Sequence, residues 1–156
     1  MRVLVVNAGS SSLKLRVVEA DDTVEESADL GPPGTDIADQ LADFVERAGP
    51  VDAVGHRVVH GGDRFDAPAV IDDRVRLALG ELSGLAPLHN PPALAAIDAV
   101  HRLIPKLLSV ACFDTAFHAQ LPAAASVYVT DFERAGIPAA STREASAEAV
   151  AEACGI

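Results

Sequence analysis

Apolar residues follow two rhythms along this chain, one of period two and one of period three to four. "RVLVVNAG" (residues 2–9) and "SSLKLRVVEA" (11–20) alternate or run together in β-branched residues across a Gly/Ser turn, which predicts a β-hairpin. "TVEESADL" (23–30) continues the pattern as a third strand, and "GPPG" (31–34) breaks it. Thr35 or Asp36 then caps a helix whose apolar positions Ile37, Leu41, Phe44 and Val45 share one face. "VDAVGHRVVHGG" (51–62) is a strand stopped by two glycines, and residues 72–84 read as helical. Asn90 followed by Pro91 starts a helix with Leu94, Ile97, Val100 and Ile104 as its stripe, and Pro105 stops it. "LLSVACFDTAFH" (107–118) is a further buried strand. A last helix, "STREASAEAVAEACG", has Ser141 and Glu144 at capping-box spacing and Gly155 as its stop. Strands that alternate with helices after an opening hairpin give an α/β fold: a mixed sheet with flanking helices.

Composition narrows what such a fold can do. At 156 residues and 49% hydrophobic content, the chain suits a single globular domain with a real core. Twelve basic against 23 acidic residues give a formal net charge of −11, which argues against nucleic acid or an anionic membrane as partner. No stretch approaches the roughly 18 apolar residues of a membrane span, and the N-terminus has no signal-peptide pattern. Cys112 and Cys154 form no C-x-x-C pair, so no disulfide framework is expected and a cytoplasmic setting fits. In so acidic a chain, the few basic residues beside small or polar neighbours mark where an anionic ligand would bind.

Four stretches carry that chemistry. "NAGSSSLK" (7–14) offers backbone N–H groups, hydroxyls and the Lys14 charge to phosphate oxygens, although the same residues also make an ordinary hairpin turn. In "GHRVVHGG" (55–62), Gly55, Arg57 and Val59 face one side, where an arginine beside a small aliphatic side chain could grip a carboxylate or phosphate with an apolar tail. His56 and His60 face the other side; a separation of about 13 Å along a strand is too far to share one metal ion, which leaves them buried, hydrogen-bonded roles. "PLHNPP" (87–92) sets His89 just before a helix N-terminus, as a structural partner or as a ligand contact. "FDTAFH" (113–118) sets Asp114 at the end of a buried strand, either paired structurally or used to position or exchange a proton.

Taken together, "VLVVNAGSSSLK", "GHRVVHGG", "APLHNPP" and "FDTAFHAQLP" resemble the acetate kinase family from Met1 to about Ile137. The resemblance implies a ribonuclease-H-like domain of the acetate and sugar kinase, heat-shock ATPase and actin group. It implies transfer of the γ-phosphoryl of ATP to acetate with Mg²⁺, and a homodimer formed through a domain outside this chain. By the same resemblance, Asn7 corresponds to a magnesium-site asparagine, Lys14 to a nucleotide-site lysine, and Ser10 and Ser12 to the serines of its loop. Arg57 corresponds to the substrate-binding arginine, Val59 and Leu88 to the lining of the methyl pocket, His89 to an active-site histidine and Asp114 to the catalytic aspartate. Two departures stand out. Residues 138–156 contain no histidine, where the family usually continues into Gly-Phe-His-Gly-Thr-Ser-His with a transition-state histidine, and no second, nucleotide-binding domain follows. The chain is therefore expected to be one N-terminal domain, residues 1–156, that makes no acetyl phosphate by itself. Two alternatives stand beside this reading: a butyrate or propionate kinase relative, and a non-catalytic remnant that binds small anions.

Overall fold

A computed structural model describes residues 1–34 and 36–118 of the chain. The expected helix at 141–155, Cys154, the capping role of Thr35 and the altered 138–156 segment lie outside the described residues.

The opening hairpin forms as expected, from β1 (Val3–Ala8) and β2 (Leu13–Val18), and β3 (Val24–Leu30) adds to it antiparallel. Helix α1 (Ile37–Ala48) buries Ile37, Leu41 and Phe44 and closes at Gly49, whose φ of 74° suits a residue without a side chain. Asp36 stands at its N-cap, but its carboxylate takes the Gln40 amide (2.8 Å) instead of a backbone N–H, so the expected cap is not made by that side chain.

β4 (Ala53–Val58) pairs in parallel with β1, and β6 (Leu108–Phe113) in parallel with β4. A two-residue strand, β5 (Ala69–Val70), too short to leave a pattern in the sequence, pairs antiparallel with β6. The sheet order is β3-β2-β1-β4-β6-β5. The helical stretch at 72–84 divides into α2 (Asp73–Glu81), capped by Asp72 on the Val75 N–H, and a 3₁₀ turn at Leu82–Leu85. Helix α3 (Asn90–Leu103) follows.

Alternation along the strands decides what faces the core. Leu4, Val6, Ala8, Leu13, Leu15, Val17 and Val54 pack with α1 and α3, and Val58, Ala111 and Phe113 pack with α2 and α3. The residues between them, Asn7, Lys14 and Arg57 included, stand on the opposite face.

His56 and Asn90 are the buried polar side chains among the described residues, each 1% exposed. They differ in how they are satisfied. Asn90, expected to start α3, is its first residue while His89 holds the N-cap position. The Asn90 amide turns inward: Oδ1 accepts the His60 N–H (3.3 Å), and Nδ2 donates to the carbonyls of His60 (3.1 Å) and Leu82 (3.4 Å). The side chain thus gives His60 both hydrogen bonds that a neighbouring strand would have supplied beyond the end of β4. The next two N–H groups are met in kind, Gly61 by Thr115 Oγ1 (3.1 Å) and Gly62 by His60 Nδ1 (2.9 Å). Gly61 is required there, since a Cβ would lie 2.6 Å from the Phe65 carbonyl oxygen. His60 is therefore hydrogen-bonded as expected, but half-buried where a buried side chain was expected. His56 is buried but has no hydrogen-bond partner for either ring nitrogen among the described residues, which departs from that expectation.

Two outcomes follow from these groups. Burial pushes the His56 pKa down from 6.5 to about 4, so between those values the unfolded chain binds the extra proton. Stability from this group is therefore complete above pH 6.5 and falls as the pH drops toward 4, by about 3 kcal/mol in total at ~1.4 kcal/mol per pH unit. Urea unfolding of wild type and His56→Leu across that range should show the loss in wild type and a flatter profile in the variant; parallel profiles would contradict it. Asn90→Leu removes the partners that the amide gives to the His60 N–H and carbonyl, so a destabilisation of about 2–3 kcal/mol is expected by the same measurement.

Candidate active site

Three parallel strands, β1, β4 and β6, end side by side, and each delivers one polar residue to that end. Asn7 is the penultimate residue of β1, Arg57 the penultimate residue of β4, and Asp114 follows directly on β6. In open α/β sheets, the carboxyl ends of parallel strands are where ligands bind, because the loops leave the sheet there and expose backbone and side-chain donors.

The guanidinium of Arg57 joins the three. Its Nε donates to Asp114 Oδ1 (2.9 Å) and its Nη2 to Asp114 Oδ2 (2.5 Å), a two-pronged ion pair. Its Nη1 donates to Asn7 Oδ1 (3.1 Å). Both charged side chains are about two-fifths exposed, 42% for Arg57 and 40% for Asp114, so the pair stands open to ligands. Asp114 matches the charge of Arg57 and Asn7 adds a neutral acceptor, so three of the five guanidinium N–H groups are engaged among the described residues.

The turn between β1 and β2 opens at the same end. Four residues, Gly9 to Ser12, span it, with the Gly9 N–H on the Ser12 carbonyl (2.9 Å). Ser10 is exposed and Ser12 half-buried. Lys14 is the direct cross-strand partner of Asn7 and is exposed. Directly opposed residues of an antiparallel pair share a face, so the lysine stands on the face that carries Asn7 and Arg57.

Val59 is the first residue beyond β4, two positions after Arg57, and is half-buried. His89 is half-buried at the N-cap of α3, one residue before Asn90, whose amide is fixed to His60. Leu88 is 70% exposed and belongs to neither apolar cluster, so the structure does not close it with Val59 into a pocket. Asn90 and Thr115 are the residues that sequence reasoning missed. Asn90 looks like a helix starter beside two prolines, and Thr115 is one hydroxyl beside a more conspicuous aspartate; neither pattern reveals a bond to a backbone 30 or 54 residues away.

A more enclosed cleft of about 270 Å³ lies elsewhere, between Ile71, Ile97 and Leu107, with Arg76 and Asp98 in its wall. Its charges answer each other, Arg76 Nε to Asp98 Oδ1 at 2.6 Å and Nη2 to Oδ2 at 2.7 Å. This pairing raises the arginine pKa and holds the Asp98 carboxyl below its usual value. None of the candidate ligand-binding or catalytic residues read from the sequence lines it, so the open strand ends are the better candidate.

Comparison with known proteins identifies relatives of the chain. Residues 34–136 match the model of the acetokinase family. The chain is 39% identical over 166 aligned positions to the acetate kinase of Fervidobacterium nodosum and 41% identical over 164 to that of Clavibacter sepedonicus. In each case 85% of this chain is covered and 41% of the relative, so the chain spans about two-fifths of the length of these enzymes. Among solved structures, a propionate kinase from Francisella tularensis aligns with a TM-score of 0.69 at 28% identity, over 92% of this chain and 42% of that one. The acetate kinase of Porphyromonas gingivalis aligns at 0.67 and 30% identity, over 85% and 43%. The mixed sheet, its flanking helices and the family match leave one assignment: this chain belongs to the acetokinase family.

Proposed function

We propose that this chain is the carboxylate-binding part of an acetate kinase, in which Arg57 holds acetate while a phosphoryl group is transferred from ATP. The observation that carries this reading is the guanidinium at the open ends of three parallel strands, already bound to a carboxylate. Phosphoryl transfer to a carboxylate brings two anions together, and a planar fork of donors both screens the acceptor and fixes its direction of approach. A lysine would supply charge without that direction.

The neighbouring residues take complementary parts. Val59, two positions after Arg57, meets the acetate methyl, with Leu88 and His89 at the approach. Lys14, Ser10 and Ser12 face the nucleotide phosphates at the same end of the sheet. Asn7 and Asp114 offer hard oxygen donors of the kind magnesium prefers, and an ion that keeps waters and phosphate oxygens needs only one or two such side chains. Among the described residues no group of three His, Cys, Asp or Glu stands together as a metal site. When bound, magnesium neutralises phosphate charge. What the chain itself does is orient the carboxylate and keep positive charge beside it.

Propionate is the second acceptor to consider, because a propionate kinase is among the similar structures. One methylene changes selectivity by only about 1–3 kcal/mol, so the two acceptors compete for the same Arg57 site.

A chimera tests the proposal. Residues 1–118 of this chain replace the matching segment of the Fervidobacterium nodosum acetate kinase, and hydroxylamine traps acyl phosphate formed from ATP and acetate. Hydroxamate is expected, with Arg57→Ala lowering its rate by about 100-fold or more, the scale of losing a donor at the reacting group. A folded chimera without product, or an Arg57→Ala rate equal to its parent, would overturn the assignment.

A further inference from the structure

The geometry points to the Arg57–Asp114 pair as the closed state of the anion site: the Asp114 carboxylate occupies the place of an incoming oxyanion, and a phosphoryl dianion, rather than a monocarboxylate, opens it. This rests on the functional reading above and adds the class of ligand that binds first.

The fork of Arg57 is fully used on one side. Nε and Nη2 bind the two oxygens of Asp114, and Nη1 binds Asn7, so three of five N–H groups are engaged. A ligand that needs two parallel donors must displace Asp114 from them. Acetate gains little from that exchange. It brings the same charge and the same two oxygens, and it surrenders translational freedom, whereas Asp114 is tethered to the sheet at high effective concentration.

A phosphoryl dianion brings more. Its second charge and third oxygen reach beyond what Asp114 supplies. Arg57 has two N–H groups left, and Lys14, the cross-strand partner of Asn7, adds an exposed ammonium at the same end. Displaced Asp114 then moves away from the dianion and becomes free to accept a hydrogen bond or a cation. The ion pair is also suited to opening, since both partners are about two-fifths exposed and an exposed pair is held only weakly.

The test is a titration of the 156-residue chain with inorganic phosphate and, separately, acetate, followed by NMR through the Arg57 Nε–H signal. Wild type is expected to bind phosphate about tenfold or more tightly than acetate. If the pair is closed about nine-tenths of the time, Asp114→Asn and Asp114→Ala tighten both ligands about tenfold, because the competent fraction of the site rises to one. The Nε–H should be protected from exchange with water in ligand-free wild type, unprotected in the Asp114 variants and protected again by phosphate. Equal or weaker phosphate binding by both Asp114 variants, or an Nε–H unprotected in ligand-free wild type, would overturn the closed-state proposal. Acetate binding as tight as phosphate in wild type would overturn the choice of ligand. Arg57→Ala separates the two levels. If it abolishes binding while the Asp114 variants change nothing, the closed state fails and the carboxylate site stands; if it leaves binding intact, the functional reading fails as well.

Discussion

A guanidinium at the end of a half-buried strand has to be answered by oxygen atoms, and the position of every other element here can be followed from where those oxygens come. Arg57 draws on Asn7 from one neighbouring strand and Asp114 from the other. For both to reach it, β1, β4 and β6 must run parallel and end level with one another, which the pairing of Val6 with His56 and of Arg57 with Cys112 ensures. A slip of one residue in either pairing would turn Arg57 or its partners into the core face, where Val58 and Phe113 pack. The apolar alternation that buries the sheet and the charged cluster at its end are thus one constraint seen from two sides.

Keeping that end rigid needs a second device. β4 stops at Val58, and the backbone beyond it loses its ladder partners just where the candidate substrate loop begins. The chain replaces them with side chains from distant elements: Asn90 for His60, Thr115 for Gly61 and His60 itself for Gly62. Because Asn90 opens α3 and Thr115 follows Asp114, these bonds tie the loop to the helix start bearing His89 and to the strand end bearing Asp114. Stacking of Phe65 on Phe113, with centroids 4.9 Å apart, backs the same loop with apolar contact.

Much of this was legible in the sequence. The hairpin, β3, α1, β4, α3 and β6 all announce themselves by period and by Gly/Pro punctuation, and Arg57 stands out as a cation on a small-residue strand face in an acidic chain. What escaped is long-range or too short to have a period. β5 has two residues, and its pairing is decided by β6 rather than by its own pattern. Asp36 and Asn90 sit where caps belong, yet competing partners, Gln40 for one and the His60 backbone for the other, claim their side chains. Asp114 was visible as a carboxylate at a strand end, but its engagement with Arg57, 57 positions earlier, depends on sheet order, which no local window contains.

The central claim is that a carboxylate ligand lies against Arg57 with its alkyl end toward Val59. Intermolecular NOEs from ¹³C-methyl acetate, at saturating concentration with the 156-residue chain, test it most directly. The account predicts cross-peaks from the acetate methyl to the Val59 methyls, absent in Arg57→Ala. Cross-peaks instead to Ile71 and Ile97, in the cleft beside the Arg76–Asp98 pair, would contradict it.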